Sequence, residues 1–485
     1  MANIIVGCAK YMMIILIAVY TYHCFAVFSF EDGKEKTRML KYQNALMFMI
    51  HFMAFAGMYF KIGENKILIF YFAQVLMLAA IIWLYTKFYP KASRLIVNNM
   101  CMLLTIGFIM ITRLSYTKAV KQSIIVAGSV VISLIVPIAI RKIKGLSELR
   151  VLYAIIGIAA LAAVVVIGQV SGGAKLGFSI AGIGIQPSEF VKILFVFFVA
   201  SSFRQSAKFG NVVVTTIVAA FHVLILVISK DLGASLIIFV VYLVMLYVAT
   251  KRPIYVVAGF GGGSVAAVAA YYLFSHVRVR VEAWKNPFAV YNSGGYQVAQ
   301  SLFAIGTGSW FGTGLYQGEA DAIPVADEDF IFSAIAEEMG LIFALCLILI
   351  CVSCCVMFIN IAMQLRNRFY KLVALGLGTC YIFQSFLNIG GVTKFIPSTG
   401  VTLPLVSYGG SSVLSTLIMF AIIQGLYILK EDEEENIERK KQQKQAQTRT
   451  GTGNRHYLPQ SGTRRSQTQS RDRGSKAQNK GRTRG

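Results

Sequence analysis

Charge is what this chain has least of. Only 14% of its 485 residues are charged, against roughly 25% in soluble domains. A water-facing shell cannot be assembled from so few, which excludes an ordinary soluble globular protein. Metal-ligating groups are also thinly spread. The chain has eight cysteines and five histidines, and its C-x-x-C, Cys351 to Cys354 with Cys355 beside it, lies inside an apolar run. With no second pair and no histidine nearby, these thiols read as small, polarizable packing residues rather than a metal or redox site. The first apolar run, Tyr11–Phe30, has only Lys10 ahead of it and no A-x-A-like cleavage site behind it. It reads as a retained helix, not a signal peptide.

What the chain does have is apolar length. It is 56% hydrophobic, with a mean hydropathy of +0.65, and runs of about 20 apolar residues recur between short charged gaps. Thirteen spans are expected, from Tyr11–Phe30 to Leu403–Leu429, including Pro187–Phe203 and one over-long run, Phe330–Ile359. The fold class is therefore an all-α polytopic membrane protein. Lys34, Lys36, Arg38 and Lys41 fill the first gap, Lys87, Lys91 and Arg94 the third, and Arg141, Lys142, Lys144 and Arg150 the fifth. The positive-inside bias then places the N-terminus outside and the C-terminus in the cytoplasm. The gap with Arg113, Lys118 and Lys121 runs against that pattern. One long connection, 275–328, falls outside and is long enough to be functional. The segment 431–485 opens acidic and turns basic and polar with little to bury, so it is expected to be disordered. Its basic charge suits either topology or attraction to anionic headgroups, not nucleic acid.

The stretch Thr393 to Ser412, T-K-F-I-P-S-T-G-V-T-L-P-L-V-S-Y-G-G-S-S, is crowded with Pro, Gly and hydroxyl residues between two apolar runs. Non-helical backbone at membrane depth survives only inside protein or beside a watery cavity, so this segment is expected to line a site. Three further segments stand out. They are Q-P-S-E-F-V-K at Gln186–Lys192, D-L-G at Asp231–Gly233, and the long connection from V-R-V-R-V-E-A-W-K-N-P to I-P-V-A-D-E-D-F-I-F-S. Together, in this order, the four resemble the signatures of the SEDS family, the RodA, FtsW and SpoVE proteins. The resemblance covers about ten spans, residues 95–430. Residues 1–94 then form an N-terminal extension of three transmembrane helices.

The resemblance implies a peptidoglycan glycosyltransferase that polymerises lipid II at the outer face of the cytoplasmic membrane, in elongation, division or sporulation. It also implies a class B penicillin-binding protein as partner. Alternative readings are a lipid II flippase and a weakly active scaffold that recruits the penicillin-binding protein. No cofactor is identified, although diphosphate chemistry is compatible with a divalent cation. Displacement at an anomeric carbon needs a carboxylate to take the hydroxyl proton and cations to hold the diphosphate.

Asp329 matches the aspartate of the family's D-F-I-F motif and is the candidate base; as a bare sequence, Asp327, Glu328 and Asp329 read equally well as a helix start. Adjacent carboxylates should raise at least one pKa. Substrate-binding candidates are Arg278, Arg280, Lys394, Glu338 and Lys175. If V-R-V-R is extended, Arg278 and Arg280 share a face. Gln186, Pro187, Ser188, Glu189, Lys192, Asp231, Asn388, Pro397, Ser407, Gly409 and Gly410 are the structural and intramembrane polar set. Within it, Glu189 and Lys192, three residues apart, are expected to lock together as an ion pair. Trp284 and Trp310 read as interfacial residues. The chain departs from the family at two places: Glu328 stands where Thr is usual, and Gly177 where tryptophan is common.

Overall fold

The computed structural model describes residues 2–30, 33–143, 145–171, 174–180, 183–204 and 206–452. Helices α1 (Ala2–Ala26), α2 (Gly33–Ile62) and α3 (Asn65–Phe88) come first. They precede α4 (Arg94–Leu114), α5 (Tyr116–Lys142) and α6 (Arg150–Ile167). A small antiparallel sheet follows, of β1 (Gln169–Ser171), β2 (Ala174–Ile180) and β3 (Ile183–Ile185) in that order. The chain then returns to helix with α7 (Pro187–Ser202), α8 (Phe209–Ile228), α9 (Leu232–Thr250) and α10 (Pro253–Leu273). The long connection carries α11 (Ser275–Lys285) and α12 (Tyr296–Gly308), and leads into α13 (Ile331–Met339) and α14 (Leu341–Gln364). Last come α15 (Arg368–Val392) and α16 (Gly410–Thr452).

Among the described residues, twelve helices are long and apolar enough to cross a membrane. The thirteenth expected span is α7, which has 16 residues. Its start is set chemically: Pro187 takes the first helical position, where a missing N–H costs nothing.

Two expected spans are shorter than the apolar pattern suggested. The run Phe330–Ile359 is not one helix, because Gly340, at φ +91°, separates α13 from α14. A left-handed φ of that kind is open to glycine and costly for other residues. Likewise, α16 begins at Gly410, not Leu403, so residues 403–409 stay non-helical. Helix α16 continues to Thr452, which makes the first part of the expected tail helical. The chain through Asp432 forms one unit and the residues after it a second; residues 453–485 of the expected disordered tail lie outside the described residues.

Helix α4 is buried from Leu95 to Arg113, along its whole length and on every side. A helix that is apolar all round belongs inside a bundle, and the N-terminal extension completes the sheath. Lipid is as apolar as leucine, so association in the membrane rests on close packing and interhelical hydrogen bonds. Here Asn99 accepts from the Tyr20 hydroxyl at 3.1 Å and donates to Ser353 Oγ at 3.1 Å, joining α1, α4 and α14. Asn98 donates to Leu40 O of α2 at 2.9 Å. His51 and Gln74 tie α2 to α3 at 3.0 Å.

Candidate active site

The break between α15 and α16 is held open by side chains that satisfy its backbone. Asn388 Nδ2 donates to Val401 O at 2.7 Å, Gln384 Nε2 to Thr402 O at 3.1 Å, and Gln122 Nε2 to Ser407 O at 3.1 Å. From α11, Arg280 Nη1 donates to Ser398 O at 3.1 Å and Trp284 Nε1 to Lys394 O at 3.2 Å. Each bond gives a backbone carbonyl of the broken segment the partner that a helix would otherwise supply. Ser407 Oγ accepts from Leu403 N at 2.9 Å, and Gly409 N donates to Gln122 Oε1 at 3.3 Å. Pro397 lies within this segment and Gly410 ends it as the first residue of α16.

Asp329 sits against this segment, in the turn that ends where α13 begins. Asn388 Nδ2 donates to Asp329 O at 2.8 Å, so one amide binds the turn and the broken segment together. Tyr408 N donates to Asp327 O at 2.7 Å and makes a second tie. Gly400, at φ +72°, faces both charged groups: a Cβ there would lie 3.5 Å from Arg280 Nη2 and 3.8 Å from Asp329 Oδ2. Burial pushes the Asp329 carboxyl up to about 6, helped by Glu328 and Asp327, while Arg280 works in the opposite sense. Burial pulls the Arg280 guanidinium below its usual range, against the charges of Asp329 and Asp231. Asn388 Oδ1 and Thr399 Oγ1 are buried here without a hydrogen-bond partner.

The carboxylates do not cap α13, whose N-cap is Phe330 with no side-chain capping bond. Instead Lys118 gathers two of them, reaching Asp327 Oδ2 at 2.6 Å and Glu328 Oε1 at 3.6 Å. Only Asp329 of the three turns toward Arg280 and Gly400. Burial raises the Glu328 carboxyl too, against the pull of Lys118.

The V-R-V-R segment is helical, not extended. Two residues apart on a helix means about 200° of rotation, so the two arginines do not share a face. Arg280 points inward, whereas Arg278 is exposed and donates to Tyr272 O at 3.2 Å. Lys394 takes a left-handed backbone at φ +59° beside the site. Glu338 lies elsewhere in the polar network, fully buried and 2.8 Å from Arg113 Nε. Arg113 also holds Asp321 at 2.7 Å. Lys175 falls in β2, but its side chain lies outside the described residues.

Behind the site, Glu189 and Lys192 pair at 3.0 Å, with Ser415 on Glu189 at 2.8 Å and Gln384 on Lys192 at 2.6 Å. Asp231 caps α9 through Ala234 N at 3.1 Å and accepts from Ser188 Oγ at 2.8 Å and Gln186 Nε2 at 3.3 Å. Gly177 pairs across β1 and β2, and a Cβ there would fall 2.0 Å from Ile185 O, so this hairpin has no room for a tryptophan.

Arg113 and Lys118 were legible only as loop cations that fitted the charge bias badly. The ion pairs account for the misfit: both are neutralised by carboxylates of the long connection and of α13. Their partners lie more than 200 residues on, and the misfit itself was the one signal that could have pointed to them.

The family model described as "Cell cycle protein", which groups FtsW, RodA and SpoVE, matches residues 93–431. The peptidoglycan glycosyltransferase RodA of Mycobacterium leprae is 34% identical over 363 residues, covering 70% of this chain and 78% of that protein. The RodA of Mycobacterium tuberculosis strain H37Rv is 39% identical over 267 residues, 52% of this chain and 57% of that protein. The probable peptidoglycan glycosyltransferase FtsW of Bacillus subtilis is 29% identical over 304 residues, 59% of this chain and 75% of that protein. Two solved structures share the fold. A chain of a peptidoglycan synthase complex superposes with a TM-score of 0.60 at 21% identity, over 70% of this chain and 98% of that one. The rod shape determining protein RodA of Thermus thermophilus gives 0.51 at 21% identity, over 69% and 96%. Because the family model spans more than two thirds of its length, the chain belongs to the FtsW/RodA/SpoVE cell cycle protein family.

Proposed function

We infer that this chain is a peptidoglycan glycosyltransferase, a multi-pass protein of the bacterial cytoplasmic membrane. Its substrate is lipid II, its product a growing glycan strand, and its partner a class B penicillin-binding protein that cross-links that strand. The N-terminus lies outside and the C-terminus in the cytoplasm, which turns Asp329 toward the outer face. The observation that carries the reading is a desolvated carboxylate with a proton affinity near neutrality, set beside a half-buried arginine in a wall of non-helical backbone.

In the step, Asp329 takes the proton of an acceptor-sugar hydroxyl. The hydroxyl oxygen bonds to the donor's anomeric carbon, and the bond from that carbon to the undecaprenyl diphosphate breaks. The diphosphate leaves with the electron pair, and its developing charge is met by Arg280, with Lys394 beside it. A base whose pKa lies near the working pH is both largely ionised and basic enough to help. A fixed cation in a low-dielectric wall stabilises developing charge more than water does.

The test is polymerisation of fluorescent lipid II by purified protein with its penicillin-binding protein, read as a glycan ladder. A ladder that disappears with Asp329→Asn supports the reading. Lipid II translocation across liposomes with no ladder from the parent protein would favour a flippase and reject it.

A further inference from the structure

Away from the candidate active site, α2 near its start, the end of α3 and the start of α4 enclose a cavity of about 430 Å³. Lys41 and Arg94 line it, both exposed, and neither forms an ion pair among the described residues. No acidic side chain is in the lining. Asn44 also faces it, and the Asn44 side-chain oxygen is buried without a hydrogen-bond partner. Leu40 and Tyr85 give the cavity apolar, buried walls.

We propose that this cavity binds the headgroup of an anionic phospholipid, a phosphodiester carrying a free hydroxyl as in phosphatidylglycerol. Depth sets the class of ligand. The cavity sits where three apolar helices end or begin, which is the headgroup layer, and basic pockets between helices at that level suit anionic lipid. Charge sets the sign, because two cations with no carboxylate between them ask for a phosphate. The unpaired Asn44 oxygen narrows the choice, since leaving a buried acceptor unsatisfied is costly. A phosphodiester offers only acceptors, and a choline headgroup has no donor. A headgroup hydroxyl supplies one. The same lipid would bridge α2 and α3 to α4, bracing the N-terminal extension against the first helix of the family core.

The experiment uses the full chain in detergent, titrated with phosphatidylglycerol or phosphatidylcholine and read by native mass spectrometry and thermal unfolding. Phosphatidylglycerol should stay bound and raise the unfolding temperature, and phosphatidylcholine should do neither. The double variant Lys41→Gln/Arg94→Gln should weaken retention by about tenfold or more, the scale expected of two headgroup-facing cations. Lys34→Gln/Lys36→Gln, which removes the same charge outside the cavity, should retain it. Asn44→Ala should erase the preference for phosphatidylglycerol over phosphatidylmethanol, an anionic phosphodiester with no headgroup hydroxyl, and this keeps the test decisive if the double variant does not fold. Equal losses from both double variants would overturn the proposal in favour of diffuse attraction. Equal stabilisation by inorganic phosphate alone would overturn it in favour of a phosphate-ion site.

Discussion

Replacing Asp329 with asparagine keeps the size of the side chain and a capacity to hydrogen-bond, and removes its ability to accept a proton. General-base assistance contributes about 10²–10⁴-fold, so polymerisation by Asp329→Asn should fall by that factor with expression and partner binding intact. The raised proton affinity makes a second demand. With a pKa of about 6, roughly a tenth of Asp329 is ionised at pH 5 and roughly nine-tenths at pH 7. The parent rate should therefore rise about tenfold between those values and then level off. Because Glu328 pushes Asp329 upward, Glu328→Thr should move that rise to lower pH. Stability gives an independent reading. A carboxyl whose folded pKa lies above its unfolded value supplies stability that is present below the ordinary carboxylate range and lost as pH rises through about 6. Asp329→Asn should then unfold at a higher temperature than the parent at about pH 7.5, where the parent holds a poorly solvated charge. Initial rates of lipid II consumption and thermal scans across about pH 5–8 check both. Glu328, the adjacent carboxylate that departs from the family's usual residue, can stand in as base, so the double variant Asp329→Asn/Glu328→Thr is decisive. Parent-rate polymerisation by that protein, or a flat pH profile for the parent, would refute the assignment.

Three more outcomes follow from particular contacts. Arg280→Gln should cut polymerisation at least about tenfold and shift the pH–rate midpoint upward, whereas exposed Arg278→Gln should change the rate less than about twofold; equal losses in the same assay would mean Arg280 has no special place. Arg113→Met strands a fully buried Glu338 and should destabilise by about 3–5 kcal/mol, while Arg113→Met/Glu338→Met should recover most of it, with chemical unfolding in detergent as the measure. A cysteine placed within Gly318–Ala322 should react with a membrane-impermeant reagent on intact cells, and one placed after Lys430 should not; labelling of the reverse pattern would invert the assigned orientation.

The membrane spans were legible because a run of about 20 apolar residues, in a chain this poor in charge, is long enough to cross a bilayer and has no soluble core to enter. The breaks were less so. Gly340 interrupts a run that turns from I-F-S-A-I-A-E-E-M to an uncharged apolar stretch, and the positive φ at that glycine marks the change from α13 to α14. In V-R-V-R, two alternations are too short to fix a period of two, and the segment is helix, which separates Arg278 from Arg280. The broken stretch after α15 was legible as non-helical from its Pro and Gly content, but the partners of its backbone were not. Gln122, Arg280 and Trp284 reach it from more than 100 residues away in sequence. A carboxylate triplet looks the same in sequence whether it caps a helix or divides, with Asp327 and Glu328 on Lys118 and Asp329 toward Arg280.

The sheathing of α4 has a consequence for how the protein is made. The helix leaves the ribosome with Asn98, Asn99 and Arg113 on a mostly apolar segment, and two of its final partners, Glu338 and Ser353, are over 200 residues from being synthesised. At that moment α1 and α2 already exist, and they carry the Tyr20 hydroxyl, the Leu40 carbonyl and the Gln43 amide that bond Asn98 and Asn99 in the finished protein. The N-terminal helices can thus serve as a holding site, sparing unfinished chains an exposed polar seam in lipid. Nascent chains stalled after α5 should then cross-link α4 to α2 through cysteines placed beside Gln43 and Asn98. Family core supplied without its first three helices should be degraded during synthesis; full accumulation of that shortened chain would show that α4 needs no such escort.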